Sequence, residues 1–299
     1  MGSPGGSSGD SPGARLRAAI ASAAPAQAMA AHNPVSALLA AEAGFDAIWA
    51  SGFEYSASMG LADVSLVSMT QHLEMLRAMA GRTKLPIVAD LDTGFGNAVN
   101  AGFAAAEYLR ASAAALVIED KTFPKVSSLT PGGRHDLAGV EEFQGKIEAA
   151  CHARGTTQAL VIARTEALIA GAGMPEALRR GRAYAEAGAD LLLVHSKQTT
   201  PAEIEAFIAA WDGGIPLVLV PTAYPTMDVA RMRATGKVGL AIWGNHALRA
   251  AVAAMQRVFA RIRAEGGIAG VETEIATVEE IFRLQDMAGI RAAEARFLR

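Results

Sequence analysis

The segment Leu85-Pro-Ile-Val-Ala-Asp-Leu-Asp-Thr-Gly-Phe-Gly96 decides how this chain is read. Its Pro-Ile-Val-Ala run is short, apolar and bounded by a proline and a turn, the pattern of a fully buried strand. The run ends in two carboxylates, Asp90 and Asp92. On an extended backbone, residues two apart share a face, so both would point the same way. Paired carboxylates repel unless a proton or a cation lies between them. The pair is therefore either part of a divalent-metal site or a helix cap beside a surface Asp. The ends of the other strands decide between these readings.

Outward from this segment, apolar runs and helical patterns alternate. Strands are expected at residues 27–31, 45–50, 86–89, 115–118, 159–163, 191–194, 216–220 and 238–242. Helices are expected at 15–23, 34–43, 68–80, 98–111, 141–154, 174–187, 201–211, 228–235 and 246–264, with Asn33 as a cap and Gly44 as a stop. Eight strands alternating with helices is the count and spacing of a (β/α)8 barrel. The alternative is a doubly wound open sheet, but no Gly-x-Gly-x-x-Gly follows the first strand. Residues 1–13 are rich in Gly, Ser and Pro and read as a flexible tail, not a signal peptide. Residues 14–299 read as one barrel domain with a helical extension from about 265, including a helix at 278–288.

Composition narrows the function. The chain of 299 residues is 51% hydrophobic with a net charge of −3, and no long basic run occurs. Nucleic acid and anionic membrane are thus not the expected partners. No apolar run approaches the roughly 20 residues that span a bilayer. The single cysteine, Cys151, rules out an internal disulfide, disfavours a Cys-based zinc site and fits a reducing cytoplasm.

In a barrel the C-terminal strand ends gather at one mouth. Here those ends read Ser51, Asp90/Asp92, Glu119, Arg164, His195 and Asn245, with Lys125 nearby in a long loop at 121–136. A lone strand-end His or Arg is usually structural. Three carboxylates converging with an Arg, a His and a Lys are harder to explain without a cation. Oxygen ligands select a hard ion, Mg²⁺, with Mn²⁺ or Co²⁺ as substitutes. Arg164 suits bidentate contact with a carboxylate or phosphonate. The Ser51-Gly52-Phe53 turn offers backbone N–H groups to an anion. A small oxo acid of two or three negative charges is the expected ligand, with chemistry running through an enolate.

These motifs also carry a family resemblance. Trp49-Ala-Ser51-Gly52-Phe53, Asp63, Asp90-Leu-Asp92-Thr-Gly94-Phe-Gly96-Asn97, Glu119-Asp120-Lys121, Lys125, Arg164-Thr-Glu166-Ala and His195 resemble the phosphoenolpyruvate mutase / isocitrate lyase superfamily, in order, from about Met29 onward. The resemblance implies an α/β barrel with Mg²⁺ near Asp90, held through waters by Asp63, Asp92 and Glu119. It implies substrate contacts from Trp49, Ser51, Gly52, Phe53, Arg164 and His195, under a gating loop carrying Lys125. It also implies a last barrel helix swapped between subunits, giving a homodimer or homotetramer.

The loop separates the branches. The lyases carry a Lys-Cys-Gly-His type loop, whereas Cys151 lies in a later helix pattern. The mutases carry Lys-x-Asn-Ser, where this chain has Lys125-Val126-Ser127-Ser128. The phosphonopyruvate hydrolase branch lacks that Asn and has Thr there. The chain also resembles that branch at Met29-Ala-Ala-His-Asn-Pro34, Val220-Pro-Thr-Ala-Tyr-Pro225 and Gly244-Asn-His-Ala247. The implied activity is Mg²⁺-dependent hydrolysis of 3-phosphonopyruvate, an oxo-acid phosphonate, to pyruvate and phosphate, with Lys125, Ser127, Arg164 and His195 as catalytic residues. The alternatives are a mutase, a C–C lyase or decarboxylase acting on an oxaloacetate-like acid, and a non-catalytic barrel that binds oxo acids.

Overall fold

The structure, a computed structural model, describes residues 10–22, 25–128, 130 and 135–298. Eight parallel strands, β1 (Ala26–Ala31), β2 (Ala47–Ala50), β3 (Ile87–Asp90), β4 (Ala113–Glu119), β5 (Leu160–Thr165), β6 (Leu191–Val194), β7 (Leu217–Leu219) and β8 (Val238–Trp243), form a closed barrel in chain order. Closure comes from β1 pairing with β8, with Ala26 opposite Leu240 and Ala28 opposite Ile242. The open-sheet alternative is thereby excluded.

Helices α1 (Pro12–Ile20), α2 (Pro34–Glu42), α3 (Gly52–Ser58), α4 (Met69–Ala80), α5 (Ala98–Arg110), α6 (Val140–Arg154), α7 (Met174–Glu186), α8 (Ala202–Ala210) and α9 (Val229–Thr235) accompany the strands. Their starts follow local chemistry. Asn33 and Ser36 cap α2 reciprocally, and Ser68 and Gln71 do the same for α4. Ser51 caps α3, a helix the sequence reading placed nowhere because only seven residues separate its cap from Met59. The outer faces of the strands pack against the helices, with Tyr108, Phe143, Tyr184 and Phe207 fully buried there.

Helical structure begins within the stretch expected to be a tail. Residues 1–9 lie outside the described residues, but within the expected tail Ser11 caps α1, and Pro12 and Gly13 are its first residues. The Ser11 hydroxyl accepts from the Ala14 N–H, and Pro12 occupies the first turn, where its missing N–H costs nothing. Gly13 is required there: a Cβ would lie 2.5 Å from the backbone of Gln158.

The chain divides into two compact units, one ending at His246 and the other comprising Ala247–Arg299. The long helix after β8, α10 (His246–Glu265), thus groups with the C-terminal helices. The single helix expected at 278–288 is two, α11 (Val278–Leu284) and α12 (Met287–Phe297), separated at Asp286, whose φ is +57°.

Candidate active site

On each strand, alternate side chains point into the barrel. Ala28 and Ala30, Ala47 and Trp49, Val88, Ala115 and Val117, Leu160 and Ile162, Leu191 and Leu193, Val218, and Leu240 and Ile242 form one buried cluster. A further step of two residues carries each series from β2 to β8 past this apolar layer. The step reaches Ser51, Asp90, Glu119, Arg164, His195, Val220 and Gly244, all of which line one cavity of about 70 Å³. Trp49, Phe53, Asp63, Lys121, Lys125, Ser127, Ser128, Thr222 and Asn245 complete its wall.

Asp90 ends β3 and accepts two backbone N–H groups, from Gly52 at 3.3 Å and from Asp92 at 3.2 Å. Asp92 does not continue the strand as its spacing suggests. Its φ is +49°, so it sits in a left-handed turn, where alternation no longer sets direction. The turn still returns its carboxylate to the cluster, where Lys125 Nζ lies 2.5 Å from Asp92 and 2.9 Å from Asp63. Gly52 and Asp92 stand behind the main cavity, beside a smaller void that His72 and Phe95 also line. A Cβ on Gly52 would lie 3.2 Å from Asp92 Oδ1 and 3.3 Å from Asp90 Oδ2. Gly52 therefore serves close packing against the carboxylates, and its N–H is already used by Asp90.

The opposite wall is an ionic network centred on Glu166, which is fully buried. Glu166 Oε1 accepts from Arg164 Nε at 2.6 Å, and its Oε2 accepts from the Ser128 hydroxyl at 2.6 Å. Lys121 Nζ lies 3.1 Å from Glu166 and donates to Ser128 Oγ at 2.5 Å. Arg164 also donates to Ser128 Oγ at 2.9 Å and stands 3.3 Å from Glu119. Burial alone would raise the Glu166 carboxyl, but Arg164 and Lys121 hold it well below the usual carboxylate range. Burial pushes the Glu119 carboxyl up, partly offset by Lys121 and Arg164. His195 is buried, with neither ring nitrogen hydrogen-bonded among the described residues. Burial and the Arg164 charge lower it to about 4, so the imidazole is neutral at pH 7.

The structure thus gathers Trp49, Ser51, Phe53, Asp63, Asp90, Glu119, Lys125, Ser127, Arg164 and His195 around one cavity, with Gly52 and Asp92 directly behind. Three participants had received no role. Glu166 was detectable, because it follows Arg164 by two residues and so continues the inward series of β5. Ser128 and Lys121 were not, because nothing local distinguishes Ser128 from Ser127 or marks Lys121 as turned inward. The loop expected at 121–136 begins with the described residues 121–128, and its residues 129 and 131–134 lie outside the described set.

The charges of this site suit a divalent cation. Among the described residues, Asp63, Asp90, Asp92, Glu119 and Glu166 are grouped with Lys121, Lys125 and Arg164. Buried Glu119 Oε1 has no hydrogen-bond partner among the described residues. Burial and the neighbouring carboxylates push Asp92 up to about 7 despite Lys125 beside it. Among the described residues no group of three His, Cys, Asp or Glu forms a ready coordination shell. An all-oxygen set of this looseness fits an ion that keeps several waters, as Mg²⁺ does.

Comparison with known proteins agrees with this geometry. The family model described as phosphoenolpyruvate phosphomutase matches residues 16–263. The chain is 56% identical over 284 residues to phosphonopyruvate hydrolase of Variovorax sp. (strain Pal2), covering 95% of this chain and 98% of that one. It is 44% identical over 270 residues to phosphoenolpyruvate phosphomutase of Tetrahymena pyriformis, covering 90% of each. A crystal structure of phosphonopyruvate hydrolase in complex with oxalate and Mg²⁺ superposes with a TM-score of 0.91 at 53% identity, covering 97% of this chain and all of the other. With the barrel, the strand-end carboxylates and the match over most of its length in agreement, the chain belongs to the phosphoenolpyruvate phosphomutase family.

Proposed function

We propose that this protein hydrolyses the P–C bond of 3-phosphonopyruvate, giving pyruvate and phosphate. The observation that carries this reading over a mutase is the hydroxyl at position 127. The cavity meets Ser127 where the mutases of the resemblance offer an amide. The 56% identity to a phosphonopyruvate hydrolase supports it.

Asp90 would hold Mg²⁺, with Asp63, Asp92 and Glu119 contributing through waters. The bound ion would offset the charge that grows on the oxo-acid oxygens as the P–C bond breaks. Arg164 spends Nε and Nη2 on Glu166, Glu119 and Ser128. Its Nη1 has no partner among the described residues and would bind a substrate oxygen. Trp49 and Phe53 exclude water from the carbon skeleton, and the Phe53 N–H and Ser51 would face the carboxylate. Neutral His195 would donate one N–H to a phosphonyl oxygen, while the Lys125 ammonium supplies charge beside it.

The C3–P bond breaks with its electron pair passing to pyruvate as the enolate. A water oxygen bonds to phosphorus, and C3 is finally protonated. Positioning and electrostatics carry most of the catalysis in phosphoryl transfer. A hydroxyl at 127 is shorter than an amide and leaves room for that water.

Changing Ser127→Asn is expected to lower phosphate release and raise any phosphoenolpyruvate formed, whereas Ser127→Thr keeps hydrolysis. A shift of ~1.4 kcal/mol between the competing transition states changes the product ratio about tenfold, and one hydrogen bond is of that size. Phosphorus NMR of the products reads this directly. Wild-type protein that interconverts phosphonopyruvate and phosphoenolpyruvate without releasing phosphate would make the chain a mutase.

The loop carrying Lys125 would act as a gate. Oxalate with Mg²⁺ is then expected to protect residues 121–136 from limited proteolysis, and equal cutting with and without them counts against gating.

A homodimer or homotetramer is part of the same proposal, supported by exposed apolar side chains such as Phe259, Phe282 and Phe297 in the C-terminal unit. No helix is long and apolar enough to cross a membrane among the described residues. The cytoplasm is the proposed location, in keeping with a single cysteine.

A further inference from the structure

The turn that carries Asp92 is held from behind by a lysine. Between β3 and α5 the backbone enters the left-handed region at Asp92 (φ 49°), Gly94 (86°), Phe95 (59°) and Gly96 (147°). Asp92 and Phe95 have a Cβ and adopt this conformation at a cost. Such a turn persists only where its surroundings over-determine it. The Glu119 N–H donates to the Asp92 carbonyl at 2.8 Å, and the Gly94 N–H donates to the Leu91 carbonyl at 2.8 Å. A third bond comes from a side chain: Lys146 Nζ donates to the Thr93 carbonyl at 3.0 Å. On the other side α5 closes in, so that a Cβ on Gly94 would lie 2.9 Å from that of Ala101.

Lys146 belongs to α6 and is only 1% exposed. An ammonium has three donors, yet the Thr93 carbonyl is the one hydrogen-bond partner it has among the described residues. It also forms an ion pair along α6 with the exposed Glu142, at 3.7 Å, longer than a hydrogen bond. Burial pushes the ammonium below its ordinary pKa, with Glu142 offsetting part of the effect. Packing of α6 would be served equally by an apolar side chain without the cost of burying a charge. What the ammonium reaches is the Thr93–Gly94 peptide, in the turn just past Asp92.

We infer that Lys146 is a positioning residue of the cation site: its ammonium fixes the Thr93 carbonyl, holds the left-handed turn, and so sets where the Asp92 carboxylate stands relative to Asp63, Asp90 and Lys125. The inference rests on the reading of Asp92 as part of that site. Lys146 touches neither substrate nor cation, and acts only through the backbone of the turn.

The test is Mn²⁺ binding to the purified full-length protein, followed by electron paramagnetic resonance, alongside melting temperature. Lys146→Met is expected to bind Mn²⁺ about 10- to 100-fold more weakly, the range for losing a partner outside the coordination shell. Lys146→Arg, which keeps a donor at full reach, restores binding to within a few-fold. A lowered melting temperature with unchanged Mn²⁺ affinity overturns the inference. Should Lys146→Met not fold, Lys146→Gln replaces it, since the Gln amide stops short of Thr93. Equal affinities in the Gln and Arg variants then overturn it. Asp90→Asn separates the two readings. If it leaves Mn²⁺ binding intact, the cation site itself is wrong and this inference falls with it. If it abolishes binding while Lys146→Met does not, only the role of Lys146 fails.

Discussion

Phosphate release from phosphonopyruvate is expected to fall by about three orders of magnitude or more in Asp90→Ala, and by a similar amount when EDTA strips the wild-type protein. That loss corresponds to ~4 kcal/mol of transition-state stabilisation, the scale of removing a principal electrostatic contact. Asp90 is the strand-end carboxylate around which the Gly52 and Asp92 N–H groups are organised. Ala leaves both donors unpaired, at roughly 1–3 kcal/mol of stability. Asp90→Asn retains an acceptor but removes the charge, so it should lose activity with a smaller drop in melting temperature. Added Mg²⁺ or Mn²⁺ should restore the EDTA-treated wild type and neither variant. Full turnover in metal-free buffer would sink the metal assignment.

The same site predicts a pH dependence. Without a cation, burial and its neighbours hold Asp92 near 7, although Lys125 pulls the other way. Below that pH the carboxyl is increasingly protonated, and an incoming cation must displace the proton. Apparent Mg²⁺ affinity is thus expected to weaken as pH falls below about 7, by up to tenfold per unit, and to level off above it. Calorimetric titration at pH 6 and 8 in two buffers measures both the affinity and the released proton.

Glu166→Gln should be the most damaging change outside the cation site. The variant keeps the shape of the side chain but leaves Arg164 and Lys121 buried with Glu119 as their remaining carboxylate. Removing one partner of a buried ionic network costs about 3–5 kcal/mol. It also frees Arg164 to turn away from the cavity, so kcat/KM is expected to fall about 100-fold, or ~2.7 kcal/mol. The pH signature has a definite sign. The Glu166 carboxyl is held below its unfolded value, so its contribution is complete above pH ~4.5 and is lost as pH falls further. Wild type should therefore lose stability relative to Glu166→Gln on acidification below that point. Melting curves from pH 7 to pH 3 that keep a constant separation would refute this.

Much of the site was legible because a parallel barrel converts sequence alternation into geometry. Val88 predicts Asp90, Val117 predicts Glu119, Ile162 predicts Arg164, and Leu193 predicts His195: each polar residue sits two positions beyond an inward apolar one. Strand count and the Asn33 helix cap were legible for the same kind of reason, since they depend on a few neighbouring residues. The tertiary structure decided what lies beyond the strand ends. Asp92 was expected on extended backbone but reaches the cluster through a left-handed turn, whose shape depends on Glu119, Ala101 and Lys146 from other elements. Ser127 and Ser128 are indistinguishable as neighbours in a loop, yet while both line the cavity it is Ser128 that bridges Lys121, Arg164 and Glu166. Lys125 lies 33 residues beyond Asp92 in sequence and pairs with it only because the loop after β4 folds back over β3. Period-two alternation is a property of one strand and ends with it; ion pairs between loops depend on distances that only the closed barrel sets.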